Sequence, residues 1–120
     1  MSKIESYRDL IVWQKSMSLV REVYAATHNF PKEEQFGLTN QLRRAVVSIP
    51  SNIAEGNGRG TTPDYIRFLQ IARGSLFEAQ TQIELSVQLG FLSESISSQL
   101  KSLCNEVERM LNSVISKLSN

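Results

Sequence analysis

Apolar residues recur at alternating steps of three and four along almost the whole chain. That spacing stacks side chains on one face of an α-helix and constrains the fold more than any other feature. Leu10, Trp13, Met17, Val20 and Tyr24 carry it through a first helix expected from Tyr7 to about Thr27. Pro31 interrupts it, and Glu33 and Glu34 suit the positive end of a second helix dipole. Leu38, Leu42, Ala45, Ile49 and Ile53 form the second stripe. Thr62 as cap, Pro63 at the first helical position and Asp64 in the first turn open a third helix. Its stripe of Tyr65, Leu69, Ala72, Leu76, Ala79 and Ile83 ends near Leu89 and Gly90. Ser93 or Ser95 opens the fourth, with Ile96, Leu100, Leu103, Val107, Met110 and Val114. No segment alternates as a strand does.

Four helices of roughly 20 to 27 residues, each about 30 to 40 Å long, joined by short connections, predict one all-α domain over residues 1–120. The expected arrangement is an up-down-up-down antiparallel four-helix bundle. More apolar positions are present than one seam needs. Helix one also carries Ile11, Val12, Leu19 and Val23, and helix three adds Ile66, Phe68, Ile71, Phe77, Leu85 and Val87. A helix apolar on more than one side is usually buried on more than one side, so the pattern predicts self-association.

The stretch SIPSNIAEGNGRG, Ser48 to Gly60, is the one place that suggests a phosphate cradle. A dinucleotide fingerprint needs a preceding strand and GxGxxG spacing; here Gly56, Gly58 and Gly60 follow a helical pattern and the next required position is Thr61. A P-loop needs a lysine, and none is present. The cradle rests only on free N–H groups at the start of helix three and on Arg59. A bent helix and a turn explain more. Gly56 suits the left-handed position that ends helix two, while Gly58 and Gly60 let the chain reverse. Pro50 crowds the Val46 carbonyl and bends the helix without ending it, with Ser48, Ser51 and Asn52 at hand for the freed backbone groups. Glu55 is expected to receive hydrogen bonds or an arginine beside that bend.

Chemistry-bearing residues are sparse. The single histidine, His28, has Ala25 three residues earlier, so the Glu-x-x-His pairs of a di-iron bundle are missing. One histidine and one cysteine make no nucleophilic triad and no zinc site, and the expectation is a protein without cofactor, metal or catalytic activity. Cys104 sits on a helical stripe and reads as a small buried hydrophobe in a reducing compartment. No apolar run approaches the roughly 18 residues of a membrane span, and the N-terminus lacks a signal-peptide core, so a cytoplasmic protein is expected.

The arginines are less evenly placed. Residues 36 to 73 hold Arg43, Arg44, Arg59, Arg67 and Arg73 against Glu55 and Asp64, with no lysine. In antiparallel helices Arg43, Arg44 and Arg73 lie about 18 to 22 Å from the glycine turn and are expected to form one band. Arginine suits bidentate phosphate contacts, but equally salt bridges within or between subunits, with Glu55, Glu78 or Glu84 as partners. A net charge of only +1 offers no global field for a polyanion and favours pairing.

YRDL with VW near the start, LRRA at Leu42–Ala45, SIPSNIAEG at Ser48–Gly56, Gly58 with Arg59, and FLQIARGS at Phe68–Ser75 together resemble a known family. It is the bacterial four-helix bundle family named for reading frames within 23S rRNA intervening sequences, and the resemblance covers nearly the whole chain. It implies a homopentameric ring. It also implies kinship with the accessory variability proteins of diversity-generating retroelements, which bind a reverse transcriptase and nucleic acid. The functional expectation is a non-enzymatic homo-oligomeric assembly or adaptor module associated with RNA or an RNA-handling partner. The alternative is a direct, weakly sequence-specific nucleic-acid binder, and a small enzyme or nucleotide binder using the Gly56–Gly60 turn comes third.

Overall fold

The computed structural model describes residues 4–120 and consists of four α-helices with two short 3-10 turns, without a strand among the described residues. The helices are α1 (Ile11–Thr27), α2 (Leu38–Asn57), α3 (Thr62–Gln88) and α4 (Glu94–Ser119). Cross-helix contacts fix their directions. Ser48 meets Ser75 and Gly56 lies against Phe68, so α2 and α3 run antiparallel. Arg73 with Asn112 and Glu84 with Lys101 do the same for α3 and α4, and Arg43 with Thr27 for α1 and α2. Each helix packs on two neighbours and none packs on its diagonal opposite, which is the square of an up-down-up-down bundle, 43 × 27 × 22 Å.

The first helix begins later than the pattern predicts. Ser6 caps a 3-10 turn, Tyr7–Asp9, by accepting from Arg8 N, and the Asp9 carboxylate accepts from Ser6 N, a reciprocal capping box. Leu10 is then extended, with ψ 125°, so α1 proper starts at Ile11. Glu34 behaves as expected at the head of α2, its carboxylate accepting from Leu38 N at 2.9 Å. The cap of α3 is Thr61, not Thr62: Thr61 Oγ1 accepts from Asp64 N, and Pro63 follows in the first turn where no N–H is needed. Ser93 caps α4 through Ile96 N. Gly90, with φ 79°, follows α3 in the left-handed conformation.

The core is read correctly on α2 and α3, in part on α4, and one step out on α1. Leu42, Ala45, Ile49 and Ile53 of α2 and Leu69, Ala72, Leu76, Ala79 and Ile83 of α3 are buried together. On α1 the buried face is Val12, Ser16, Leu19, Val23 and Thr27, one step round from the expected stripe. Two hydroxyls hide that face in the sequence. Ser16 donates to the Val12 carbonyl at 2.7 Å and Thr27 to the Val23 carbonyl at 2.8 Å, so each is satisfied inside its own helix and buries at little cost. Trp13 and Val20 instead pack half-buried against the core, Met17 is half-buried and Tyr24 is exposed. On α4, Ser97, Leu100, Cys104, Val107 and Leu111 are buried, and Ile96, expected inside, is exposed.

Candidate binding surfaces of the bundle

Helix α2 runs through Pro50 without a break. Proline cannot donate to the Val46 carbonyl. The neighbouring carbonyls gain side-chain partners instead: Ser51 Oγ donates to Val47 O, and Asn52 Nδ2 donates to both the carbonyl and the hydroxyl of Ser48, at 2.8 and 2.9 Å. Ser48 in turn meets Ser75 Oγ across the α2–α3 seam at 2.9 Å. The polar half of the motif is thus a small network that ties α2 to α3. Glu55 is outside it. The carboxylate is exposed and has no hydrogen-bonded or ionic side-chain partner among the described residues, contrary to expectation.

Gly56 does not end α2 and does not have positive φ; the helix continues to Asn57 and the left-handed residue of the turn is Gly60, with φ 90°. The reason for glycine at position 56 is proximity. It is buried, and a Cβ built there would stand 2.6 Å from the Cβ of Phe68 and 3.2 Å from Tyr65 Cδ1. No side chain fits between the two backbones, so α3 packs directly on α2 at this point. The turn also provides no phosphate cradle of the required kind, since the motif glycines sit within helix and turn after a helix, not after a strand.

The five arginines fall into three places, and of the three expected to form a band Arg73 turns to α4, away from Arg43 and Arg44. Arg43 and Arg44 lie on the outer part of α2. Arg43 reaches α1, donating from Nε to Thr27 Oγ1 at 2.9 Å and from Nη2 to the Tyr24 carbonyl at 3.4 Å, with its guanidinium 4.4 Å from the centre of the Tyr24 ring. Arg59 and Arg67 both lie over Phe68, at 4.9 and 5.0 Å from its ring centre, at the turn end of the bundle. Arg73 leans the other way, donating to Asn112 Oδ1 at 2.8 Å on α4. The ion pairs of the described residues are Lys15–Glu106 and Lys101–Glu84, so among these residues no arginine pairs with a carboxylate. The expected arginine partner Glu84 is taken by lysine.

Three further features complete the surface. Tyr7, Trp13, Met17, Val20, Pro50 and Ala54 line a shallow groove of ≈ 330 Å³ between α1 and α2. A second groove of ≈ 640 Å³ lies at the start of α1, among Ile4, Leu10, Ile11, Met110 and Val114. The outer face of α3 exposes Ile71, Phe77 and Leu85. Cys104 is fully buried, and burial, then the nearby charge of Glu108, push its thiol up from 9.0 to about 12. It is a neutral packing group at neutral pH. Among the described residues no cluster of three or more His, Cys, Asp or Glu is placed to hold a metal ion, and no helix is long and apolar enough to cross a membrane.

The sequence features spread over this bundle have a family counterpart. The family model described as 23S rRNA-intervening sequence protein matches residues 8–113. The chain belongs to this family. Among solved structures, a protein of unknown function from the S23 ribosomal protein family of Bacteroides thetaiotaomicron VPI-5482 superposes with a TM-score of 0.79. The two share 23% sequence identity, and the match covers 88% of this chain and 98% of the other. That likeness shows a common fold. No curated protein matches the chain.

Proposed function

We propose that this member of the 23S rRNA-intervening sequence protein family is a non-enzymatic assembly module. It works as a homo-oligomer in the cytoplasm, a ring of five by its family resemblance, and serves as an adaptor for an RNA-handling partner. The outer face of α3 carries this reading. Ile71, Phe77 and Leu85 are 43%, 45% and 43% exposed along the side of α3 turned away from the core, apolar surface that a second copy can cover. Gly74 lies among them, and a Cβ there would meet nothing within 4 Å. Glycine inside a helix costs about 1 kcal/mol relative to alanine, and neither φ nor packing within the chain accounts for it here. Close approach of a second backbone does. The test is Phe77→Glu with Leu85→Glu, examined by circular dichroism and sedimentation. A helical variant that sediments at monomer mass while the parent is larger supports the reading; a variant of unchanged oligomer size contradicts it.

A further inference from the structure

Buried polar side chains gather at one end of the bundle. Among the described residues they are Ser16, Thr27, Thr39, Gln82, Ser86 and Ser97. All but Ser16 lie within two turns of the helix ends that meet the α1–α2 and α3–α4 connections. Helix register brings three of them to one height. Thr39 is nine residues before Ser48 and Glu84 nine after its partner Ser75, so Thr39 is level with Glu84. Ser97 is four residues before Lys101 and Gln88 four after its partner Glu84, so Ser97 is level with Gln88. Thr39, Gln82 and Ser97 therefore share a layer about 9 Å deep at about 1.5 Å per residue. Thr27 and Ser86 donate to carbonyls of their own helices, but Thr39 Oγ1, Gln82 Oε1 and Ser97 Oγ have no hydrogen-bond partner among the described residues. In the connections Phe30 meets Phe91, with ring centres 5.7 Å apart, and Leu92 is buried beside them. Phe36 and Leu89 of the same connections are 87% and 58% exposed. Polar groups inside and apolar groups outside reverse the usual arrangement at this end.

We propose that this end of the bundle opens as a unit while the rest stays folded: the two connections part between Phe30 and Phe91, and water reaches the three oxygens. Each unpartnered oxygen weighs against the closed form and gains hydrogen bonds in the open one. Opening also adds Phe30, Phe91 and Leu92 to the apolar surface that Phe36 and Leu89 already present. The device uses buried residues and stands apart from the outer face of α3. The test is hydrogen–deuterium exchange of the purified chain, read amide by amide by NMR and corrected for intrinsic rates. Leu42, Ile83 and Leu100 lie at the polar end, and Ile53, Leu69 and Leu111 toward the other; all six side chains are 0 to 1% exposed, so burial does not separate them. The first three should exchange at least tenfold faster than the second three, with protection matching one another as one opening unit. Thr39→Val with Ser97→Ala keeps the shape of the layer, removes two of the oxygens and should slow the fast amides at least tenfold. Ser97→Ala alone should slow them about fivefold, the equivalent of about 1 kcal/mol for one unpartnered group. Ser98→Ala, at the exposed neighbouring position, makes the same change of residue outside the layer and should alter exchange less than threefold. The proposal is overturned if the two sets of amides exchange alike, or if Ser98→Ala slows exchange as much as Ser97→Ala. It is equally overturned if Ser97→Ala leaves exchange unchanged or speeds it, which assigns the oxygens to a resident internal water in a closed end.

Discussion

Gly56→Ala measures how closely α2 and α3 are pressed together. Alanine in place of glycine inside a helix is normally favourable by about 1 kcal/mol. Here the new methyl would sit 2.6 Å from Phe68 Cβ and 3.3 Å from the Tyr65 carbonyl oxygen. Ordinary carbon–carbon contact is about 3.5 to 4.0 Å, so the helices must part by roughly 1 Å. Phe68 Cβ is the root of its side chain and cannot swing away as a flexible tip can. Overpacking typically costs about 1 to 3 kcal/mol, and a clash at the root of a side chain belongs at the upper end. The net effect is a loss of about 2 kcal/mol, or a fall in Tm of about 8 °C at roughly 4 °C per kcal/mol for a chain of this length. Two neighbours in the turn act as controls. Gly58 has φ −87° and its nearest atoms would be 3.6 Å away, so Gly58→Ala should change Tm by less than about 2 °C. Gly60 has φ 90° and open space around it, so Gly60→Ala should cost about 1 kcal/mol through backbone strain alone. Thermal unfolding followed by circular dichroism at one protein concentration reads all three. A Gly56→Ala protein as stable as the parent refutes the close-approach argument.

The remaining predictions concern the thiol and the polar seam. Cys104 should resist a thiol reagent at pH 8 in the folded protein and react at once in denaturant, because its raised pKa leaves almost no thiolate. The same shift has a stability consequence: the folded state holds the thiol proton to about 12 and the unfolded chain releases it near 9.0, so above pH 9 the folded state binds more protons and stability falls. That group contributes up to about 1.4 kcal/mol per pH unit between the two values, and denaturant unfolding of parent and Cys104→Ala from pH 8 to 11 should show the steeper decline in the parent. Asn52→Leu removes the bonds to both Ser48 oxygens and should cost about 1 to 2 kcal/mol in denaturant unfolding; an unchanged midpoint would show that the network contributes nothing.

Helix type and order were legible because apolar periodicity survives wherever the buried stripe contains only apolar residues, as on α2 and α3. It failed on α1 where Ser16 and Thr27 interrupt the buried face; their hydroxyls bond to carbonyls of their own helix, a compensation that no spacing rule registers. On α4, Leu100 and Val107 were placed correctly and Cys104 was read as buried, but Ser97 hid the start of the stripe and drew it toward Ile96. Adjacent threonines concealed which one caps α3, because either fits the rule and only geometry selects Thr61. Gly56 was read as the left-handed residue that ends α2; a sequence does not separate positive φ from close approach, and the structure gives the positive φ to Gly60 and the close approach to Gly56. The arginines were identified as the charged residues of interest. Their neutral partners, Thr27, Tyr24, Phe68 and Asn112, were not, because hydrogen bonding and stacking across seams leave no periodic trace.

Self-association through the outer face of α3 is the central claim, and the mass of the purified chain in solution tests it most directly. Sedimentation equilibrium at micromolar concentration should give a multiple of the 13.5 kDa chain mass, five-fold for the proposed ring. Phe77→Glu with Leu85→Glu should return it to 13.5 kDa with helicity intact. A parent protein that sediments at 13.5 kDa across that range contradicts the account.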